Sequence, residues 1–321
     1  MALNTTVYGI KHNDENVRAA SRSGGFFTAV TDVVLNNGGA VYGCALNDFF
    51  LAEHRRAETK AERDLFRGSK YIQSNIGDSF KDVKNDLISG KTVLFSGTPC
   101  QIEGLVNFLK VSRTDLSKLI TIDILCHGVP SPMVWSDYLN AVAGVESIDA
   151  VDFRDKANFG WRAHIETLTI NGEQKSSDKF KKLFYSHLIL RPSCFNCHYK
   201  NTQRISDITI GDYWRIEDND KDFDDDKGVS LVMINTAKGR AYFDKCKKDL
   251  IVNEYPLSKS IQPALSKNYP EPKNRAAFWQ EYKNDNFMEL IDKYMIPPLP
   301  TRKQKINSIL FKILRIAKVI K

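Results

Sequence analysis

Two cysteines three positions apart, Cys194 and Cys197, stand in the stretch RPSCFNCHYK between Arg191 and Lys200. That spacing lets both sulfurs converge on one metal centre within a tight turn. Two more ligands are needed, and Cys100 in SGTPCQ and Cys126 in LCHGVPSP each end an apolar run and precede a helical pattern. Four thiolates suit tetrahedral zinc or a 4Fe-4S cluster. Structural zinc sites usually join two close pairs, whereas here one pair meets two single cysteines from separate turns, which favours iron–sulfur over zinc. Arg191, Lys200 and Arg204 flank the pair and would stabilise thiolates and a negatively charged cluster. His127 and His198 adjoin the cysteines and are expected to hydrogen-bond to cluster sulfurs or to a substrate rather than to act as ligands. Cys44 and Cys246 lie inside a strand pattern and a helical pattern and read as core or incidental residues.

Two turns offer themselves to anions. The stretch SRSGG opens the helical run FFTAVTDVVL, so Ser23, Gly24 and Gly25 would present backbone N–H groups and a positive dipole end to a phosphate. A helix cap with flexible glycines is the competing reading. The stretch RGSK sets Arg67, Ser69 and Lys70 about a glycine, which suits an anionic cofactor or an ordinary solvated loop equally. The acidic run DNDKDFDDD at 218–226 lacks the glycine and the final glutamate of a calcium loop and reads as solvated.

The elements that must position these residues follow from periodicity. Apolar residues at helical spacing follow Gly25, and Gly38-Gly39 end that helix. AVYGCAL and FFLAEHRRA read as strands, and AETKAERDLF as a helix. From Ile76 helix and strand alternate: a helix to Gly90, the strand KTVLFSG, the helix CQIEGLVNFLK, the strand LITIDILC and the helix SPMVWSDYLNAVAG. Such alternation predicts an α/β fold with a mixed, partly parallel sheet and covering helices. Right-handed crossovers would bring the carboxyl ends of both strands, and so Cys100 and Cys126, to one sheet edge. The stretch 151–171 reads as β-rich with turns, 178–190 as a helix leading to the cysteine pair, and ISDITIGDYW as a strand. KGVSLVMIN is a buried strand and TAKGRAYFDKCKKDL a helix. After Pro256 the prolines at 263, 270, 272, 297, 298 and 300 predict irregular chain.

The chain has 321 residues, 42% hydrophobic and 26% charged, enough for a sizeable core. No run reaches the roughly 18 apolar residues of a membrane span, and the start has no secretory pattern. Six cysteines spread this widely do not form a disulfide framework and point to metal or catalysis in a cytoplasmic protein. The net charge of +7 equals the seven Lys and Arg between Arg302 and Lys321, where no acid occurs, so the body is neutral. A neutral body argues against nucleic acid as a partner. In the tail, KINSILFKILRIAKVIK places Ile306, Ile309, Leu310, Ile313, Leu314, Ala317 and Ile320 at helical spacing with cations between them. This C-terminal basic amphipathic helix suits an anionic membrane surface, peripheral at the inner face of the plasma membrane, or docking on protein.

Taken in order, SRSGGFFTAV, RGSKYIQS, VLFSGTPCQIEGL, DILCHGVPSP, FRDK, LRPSCFNCHYK, SDITIGDYW and DDDKGVSLVMINT resemble the coenzyme F420 hydrogenase/dehydrogenase beta-subunit family from about Tyr8 to Thr236. The resemblance implies an oxidoreductase carrying FAD and a 4Fe-4S cluster, with Cys100, Cys126, Cys194 and Cys197 as ligands. It implies that Ser23, Gly24, Gly25, Arg67, Ser69 and Lys70 line the flavin or its phosphates. Ser96, Gly97 and Thr98 would supply N–H groups to flavin or cluster. A redox partner protein or small-molecule substrate is implied too, with a deazaflavin or nicotinamide as the candidate hydride partner. Stand-alone bacterial relatives associated with surface-polysaccharide synthesis set the expected context. The expected domains are a flavin-associated α/β part (1–75), an iron–sulfur and flavin α/β part (76–250), a Pro-rich extension (251–300) and the tail helix (301–321). A zinc-stapled or degenerate binding protein is the alternative.

Overall fold

A computed structural model describes residues 5–283 and 286–295, so the amphipathic tail at 302–321 lies outside the described residues. Contacts divide the chain into one unit from Met1 to Pro272 and another from Lys273 to Lys321.

The first unit opens with β1 (Thr6–His12), α1 (Glu15–Ala20), α2 (Phe26–Leu35), β2 (Ala40–Leu46), β3 (Ala52–Ala57) and α3 (Lys60–Asp64). Then come α4 (Ser79–Ile88), β4 (Val93–Gly97), α5 (Pro99–Val111), β5 (Leu119–Ile124) and α6 (Pro132–Val142). An excursion follows: β6 (Ile148–Asp152), α7 (Lys156–Phe159), β7 (Glu166–Ile170), β8 (Glu173–Ser177), α8 (Lys179–Tyr185) and α9 (Pro192–Phe195). The unit closes with β9 (Ile208–Asp212), β10 (Ser230–Ile234), α10 (Ala237–Cys246), β11 (Leu250–Tyr255) and α11 (Leu257–Ser260). The second unit holds α12 (Arg275–Glu281) and α13 (Phe287–Met295), helices where the prolines predict irregular chain.

Eight strands form one sheet in the order β11-β1-β10-β9-β5-β4-β2-β3. Its centre, β9, β5, β4 and β2, is parallel, and both flanks are antiparallel, so the fold is the mixed α/β sheet expected. The central strands are covered on both faces, which is why they read as continuous apolar runs. In β4, Leu94 joins Ile120, Val30 and Phe243 on the α2 and α10 face. Its neighbours Val93 and Phe95 turn the other way, onto Val83 of α4 and Ile102 and Leu105 of α5. Side chains this deeply buried contribute about 1.5–3 kcal/mol each.

The β-rich excursion is a separate antiparallel sheet, β6-β7-β8. Its β7–β8 hairpin turns on Asn171 and Gly172, both at positive φ, as a two-residue turn of matching twist requires. Segment 13–20 holds α1, whose N-terminus is capped by the Asp14 carboxylate. The acidic 218–226 run is not simply solvated. Arg18 donates to Asp225 at 2.6 Å, Arg162 pairs with Asp224, and Tyr255 donates to Asp220 at 2.8 Å. These partners tether the run, and they lie too far off in sequence for a local reading to find.

Candidate functional site

Parallel strands end at one edge of a sheet, and here that edge collects the cysteines. Cys100 lies in the first turn of α5, directly after β4. Thr98 caps that helix reciprocally with Gln101, and the Thr98 hydroxyl stands 3.2 Å from Cys100 Sγ. Cys126 follows β5 by two residues. Cys194 sits in α9, and the amide of Cys197 donates to Asn268 Oδ1 at 3.2 Å.

Three ties hold the Cys126 loop against the cysteine pair. The Arg191 amide donates to Val129 O at 3.0 Å, Pro130 bridges to Leu190, and the Lys200 ammonium donates to His127 O at 2.8 Å. Gly128, at φ +142, makes room for the approach, because a Cβ there would lie 2.9 Å from Leu190 Cδ1 and 3.5 Å from Cys194 Cβ. Tyr199 donates to Glu103 of α5, which brings the Cys100 helix to the same place.

The electrostatics link all four sulfurs. Burial pushes the Cys126 thiol up to about 12, aided by the negative charge of Cys100 and Cys194. Cys194 is raised by burial and then by Cys197 and Cys100. Cys197 is raised by burial and pulled back by Lys200 and Arg204. Sulfurs that repel one another as thiolates, with one buried ammonium beside them, form a donor set that fits a soft, positively charged metal centre. Among the described residues, no three His, Cys, Asp or Glu side chains are drawn together tightly enough to hold a metal ion in this geometry.

The flanking charges divide differently from the sequence expectation. Lys200 does face the thiols. Arg191 turns to Gln73, and Arg204 forms a buried ion pair with Asp123. His127 is not aimed at a sulfur: its Nε2 lies 2.8 Å from His187 Nε2, and its ring stacks on Tyr269 at 4.1 Å. Cys44 is half-buried in β2, and Cys246 is a core residue.

The anion-turn candidates separate into two groups. Gly24 donates its amide to Ser230 Oγ at 2.9 Å, and Ser23 Oγ donates to Val229 O at 2.6 Å, so both dock the loop onto β10. Gly25, at φ +91, starts α2 with no side-chain cap. Arg67 reaches that helix, its Nε donating to Thr28 Oγ1 at 3.1 Å. Arg67 also lines a groove of about 870 Å³ with His12, Thr28, Asp32, Arg63 and Lys248. Lys70 turns away, capping the carbonyls of Leu65 and Arg67 and facing Cys44, and Ser69 supports the Tyr71 hydroxyl. Ser96 Oγ donates to Tyr42 O at 3.1 Å, the Gly97 Cα packs near Gln101, and the Thr98 amide is taken by Gln101 Oε1 at 2.9 Å. Their hydrogen bonds are thus spent on the fold.

One cluster carried no assignment from the sequence, although FRDK and GDYW contain its residues. Buried Arg154 donates to Asp212 Oδ2 at 2.7 Å, to Trp161 O at 3.0 Å and to Tyr71 OH at 3.3 Å. The other Asp212 oxygen accepts from Trp161 Nε1 at 3.0 Å. Trp161 and Trp214 stack at 5.3 Å, and Arg154 lies over the Trp214 ring. From Tyr71 an aromatic series runs through His164, at 4.4 Å, and Tyr185 to His127, beside Cys126. An Arg, an Asp and paired indoles from three distant segments gave no local spacing to detect.

A family model for the C terminus of the coenzyme F420 hydrogenase/dehydrogenase beta subunit matches residues 90–260. That span contains Cys100, Cys126, Cys194 and Cys197 as well as Arg154 and Asp212. A chain of the F420-reducing [NiFe] hydrogenase complex from Methanosarcina barkeri shares the fold, with a TM-score of 0.55 at 16% identity, covering 91% of this chain and 90% of that one. No curated protein matches the sequence.

Proposed function

The chain belongs to the coenzyme F420 hydrogenase/dehydrogenase beta-subunit family, and from that premise we propose that it is an iron–sulfur flavoprotein oxidoreductase. The observation that carries the reading is the meeting of four cysteine thiols from three separate segments at one carboxyl edge of the sheet. Cys100, Cys126, Cys194 and Cys197 would hold a 4Fe-4S cluster, and Lys200 would offset its negative charge. The open start of α2 at Gly25, with Arg67 and the adjoining groove, would hold the phosphates of FAD. When bound, the cluster passes single electrons and the flavin exchanges two as a hydride.

The chain's own residues prepare that exchange. Arg154 fixes Asp212, and Asp212 fixes the Trp161 indole, so the Trp161–Trp214 pair is held rigid at the sheet edge. His164, lowered to about 3 by burial and by Arg154, stays neutral at working pH, its Nδ1 3.2 Å from the Tyr185 hydroxyl. A deazaflavin or nicotinamide hydride partner, a redox partner protein, a place in surface-polysaccharide synthesis and a tail resting on an anionic membrane belong to the same proposal. Among the described residues no helix is long and apolar enough to cross a membrane.

The test is anaerobic purification followed by an absorption spectrum and reduction with candidate donors. Brown-yellow protein whose flavin and sulfide-to-iron bands bleach on reduction supports the reading. Colourless protein containing zinc overturns it.

A further inference from the structure

Beside the paired indoles, three cations stand with a single carboxylate. Arg154 is matched by Asp212. Arg22 is not matched: its Nη2 reaches only Trp161 O, at 3.4 Å, and its Nε is sealed from solvent with no hydrogen-bond partner. Arg22 and Arg154 therefore converge on one carbonyl oxygen. Lys156 donates to three further carbonyls, Arg18 O, Ser21 O and Ser23 O, at 2.8, 3.1 and 3.4 Å. Among the described residues no carboxylate lies within 4.0 Å of Arg22 or Lys156.

Carbonyl dipoles orient a cation but do not neutralise it, and like charges crowded in a half-buried place repel. The repulsion is visible on each partner. Burial lowers Arg22, and Arg154 lowers it further. Lys156 is brought down to about 8 by burial first, then by Arg22 and Arg18. A site that gathers cations without their counter-ions is completed by an anion brought from outside. The stacked indoles beside it, one buried and one 36% exposed, offer a flat wall to a ring.

We propose that Arg22, Lys156 and Arg154, walled by Trp161 and Trp214, bind the anionic group of a ring-bearing substrate. This rests on the redox reading for the word substrate, but the binding itself does not. A guanidinium with unspent donors suits a carboxylate or phosphate held in its fork.

The test uses the full chain as purified and follows tryptophan fluorescence on titration with benzoate, with neutral benzamide as its isostere, at ionic strength fixed by sodium chloride. Benzoate should saturate and benzamide should not. Arg22→Gln should weaken benzoate at least about tenfold, with Arg22→Lys restoring part of the loss. Lys156→Gln, checked for an unchanged melting temperature, should weaken it as well. Equal binding of benzoate and benzamide, or unchanged benzoate affinity in Arg22→Gln, would overturn the proposal. The phosphates of FAD carry the same chemistry, so the flavin content of Arg22→Gln is measured in parallel. Wild-type content supports a substrate anion, and flavin lost in step with benzoate affinity overturns it. Protein without iron would sink the redox reading yet leave the benzoate titration as it stands, so the two failures are distinguishable.

Discussion

Arg204 Nη2 donates to Asp123 Oδ2 across 2.7 Å, with the two side chains 2% and 0% exposed. The same guanidinium donates to Tyr199 O at 2.7 Å. Asp123 lies near the end of β5, three residues before Cys126, and Tyr199 lies two residues after Cys197. One buried ion pair thus ties the two halves of the thiol site together.

Removing one partner leaves the other charge buried and uncompensated, because burial alone already pushes the Asp123 carboxyl up against the pull of Arg204. Arg204→Ala should destabilise the chain by about 3–5 kcal/mol in urea unfolding. It should also lower metal content by loosening the loop after Cys197. A cost below about 1 kcal/mol with full metal content would show that the pair does not hold the site.

His54 is buried in β3 between Ser74 Oγ and Ser96 O, each 3.0 Å from a ring nitrogen, and burial lowers it to about 4. The folded state therefore keeps it neutral, while the unfolded chain protonates near 6.5. Between those values the unfolded state binds more protons, so stability falls as pH drops from about 6.5 to 4. The loss attributable to His54 is on the order of 3 kcal/mol. Urea midpoints across that range should fall less steeply for His54→Gln than for wild type, and parallel slopes would remove the assignment.

Gly24 reads in the sequence as a phosphate-binding glycine, whereas its backbone is pressed against the sheet. A Cβ there would stand 1.9 Å from Ile10 O and 2.6 Å from Ser230 N, both backbone atoms. Gly24→Ala should cost at least about 2 kcal/mol. Gly104→Ala, in α5 with only the Phe80 ring at 3.5 Å, should be neutral or stabilising by up to about 1 kcal/mol. Thermal unfolding of the two variants checks the contrast, and equal melting temperatures would contradict it.

What the sequence made legible follows a physical line. The β4, β5 and β10 runs, apolar on both faces, and the cysteines at strand ends are local signals that chain topology converts into one edge. The Trp161–Trp214 pair, Arg154–Asp212 and the Arg18–Asp225 tether join residues tens to hundreds of positions apart, so no window along the chain contains both partners. The Asn171-Gly172 turn is the exception, a two-residue hairpin signal standing in the sequence that separates β7 from β8. Lys70 and Thr98 suit cofactor contacts by residue type, yet caps and turns consume their donors.

The tail outside the described residues carries seven cations and no acid, each worth about 1 kcal/mol at an anionic surface. Full-length chain should sediment with anionic liposomes at low salt, and a chain ending at Thr301 should stay in solution. Equal behaviour of the two forms would leave the helix to a protein surface.

The thiol site itself is tested most directly by iron and acid-labile sulfide analysis of anaerobically purified protein, with electron paramagnetic resonance after dithionite reduction. Wild type should carry about four irons and four sulfides per chain. Serine at any one of Cys100, Cys126, Cys194 or Cys197 should lose or destabilise the signal, while Cys44→Ser and Cys246→Ser keep it. Full iron and sulfide in a Cys100→Ser, Cys126→Ser double variant, or stoichiometric zinc in wild type, would contradict the assignment.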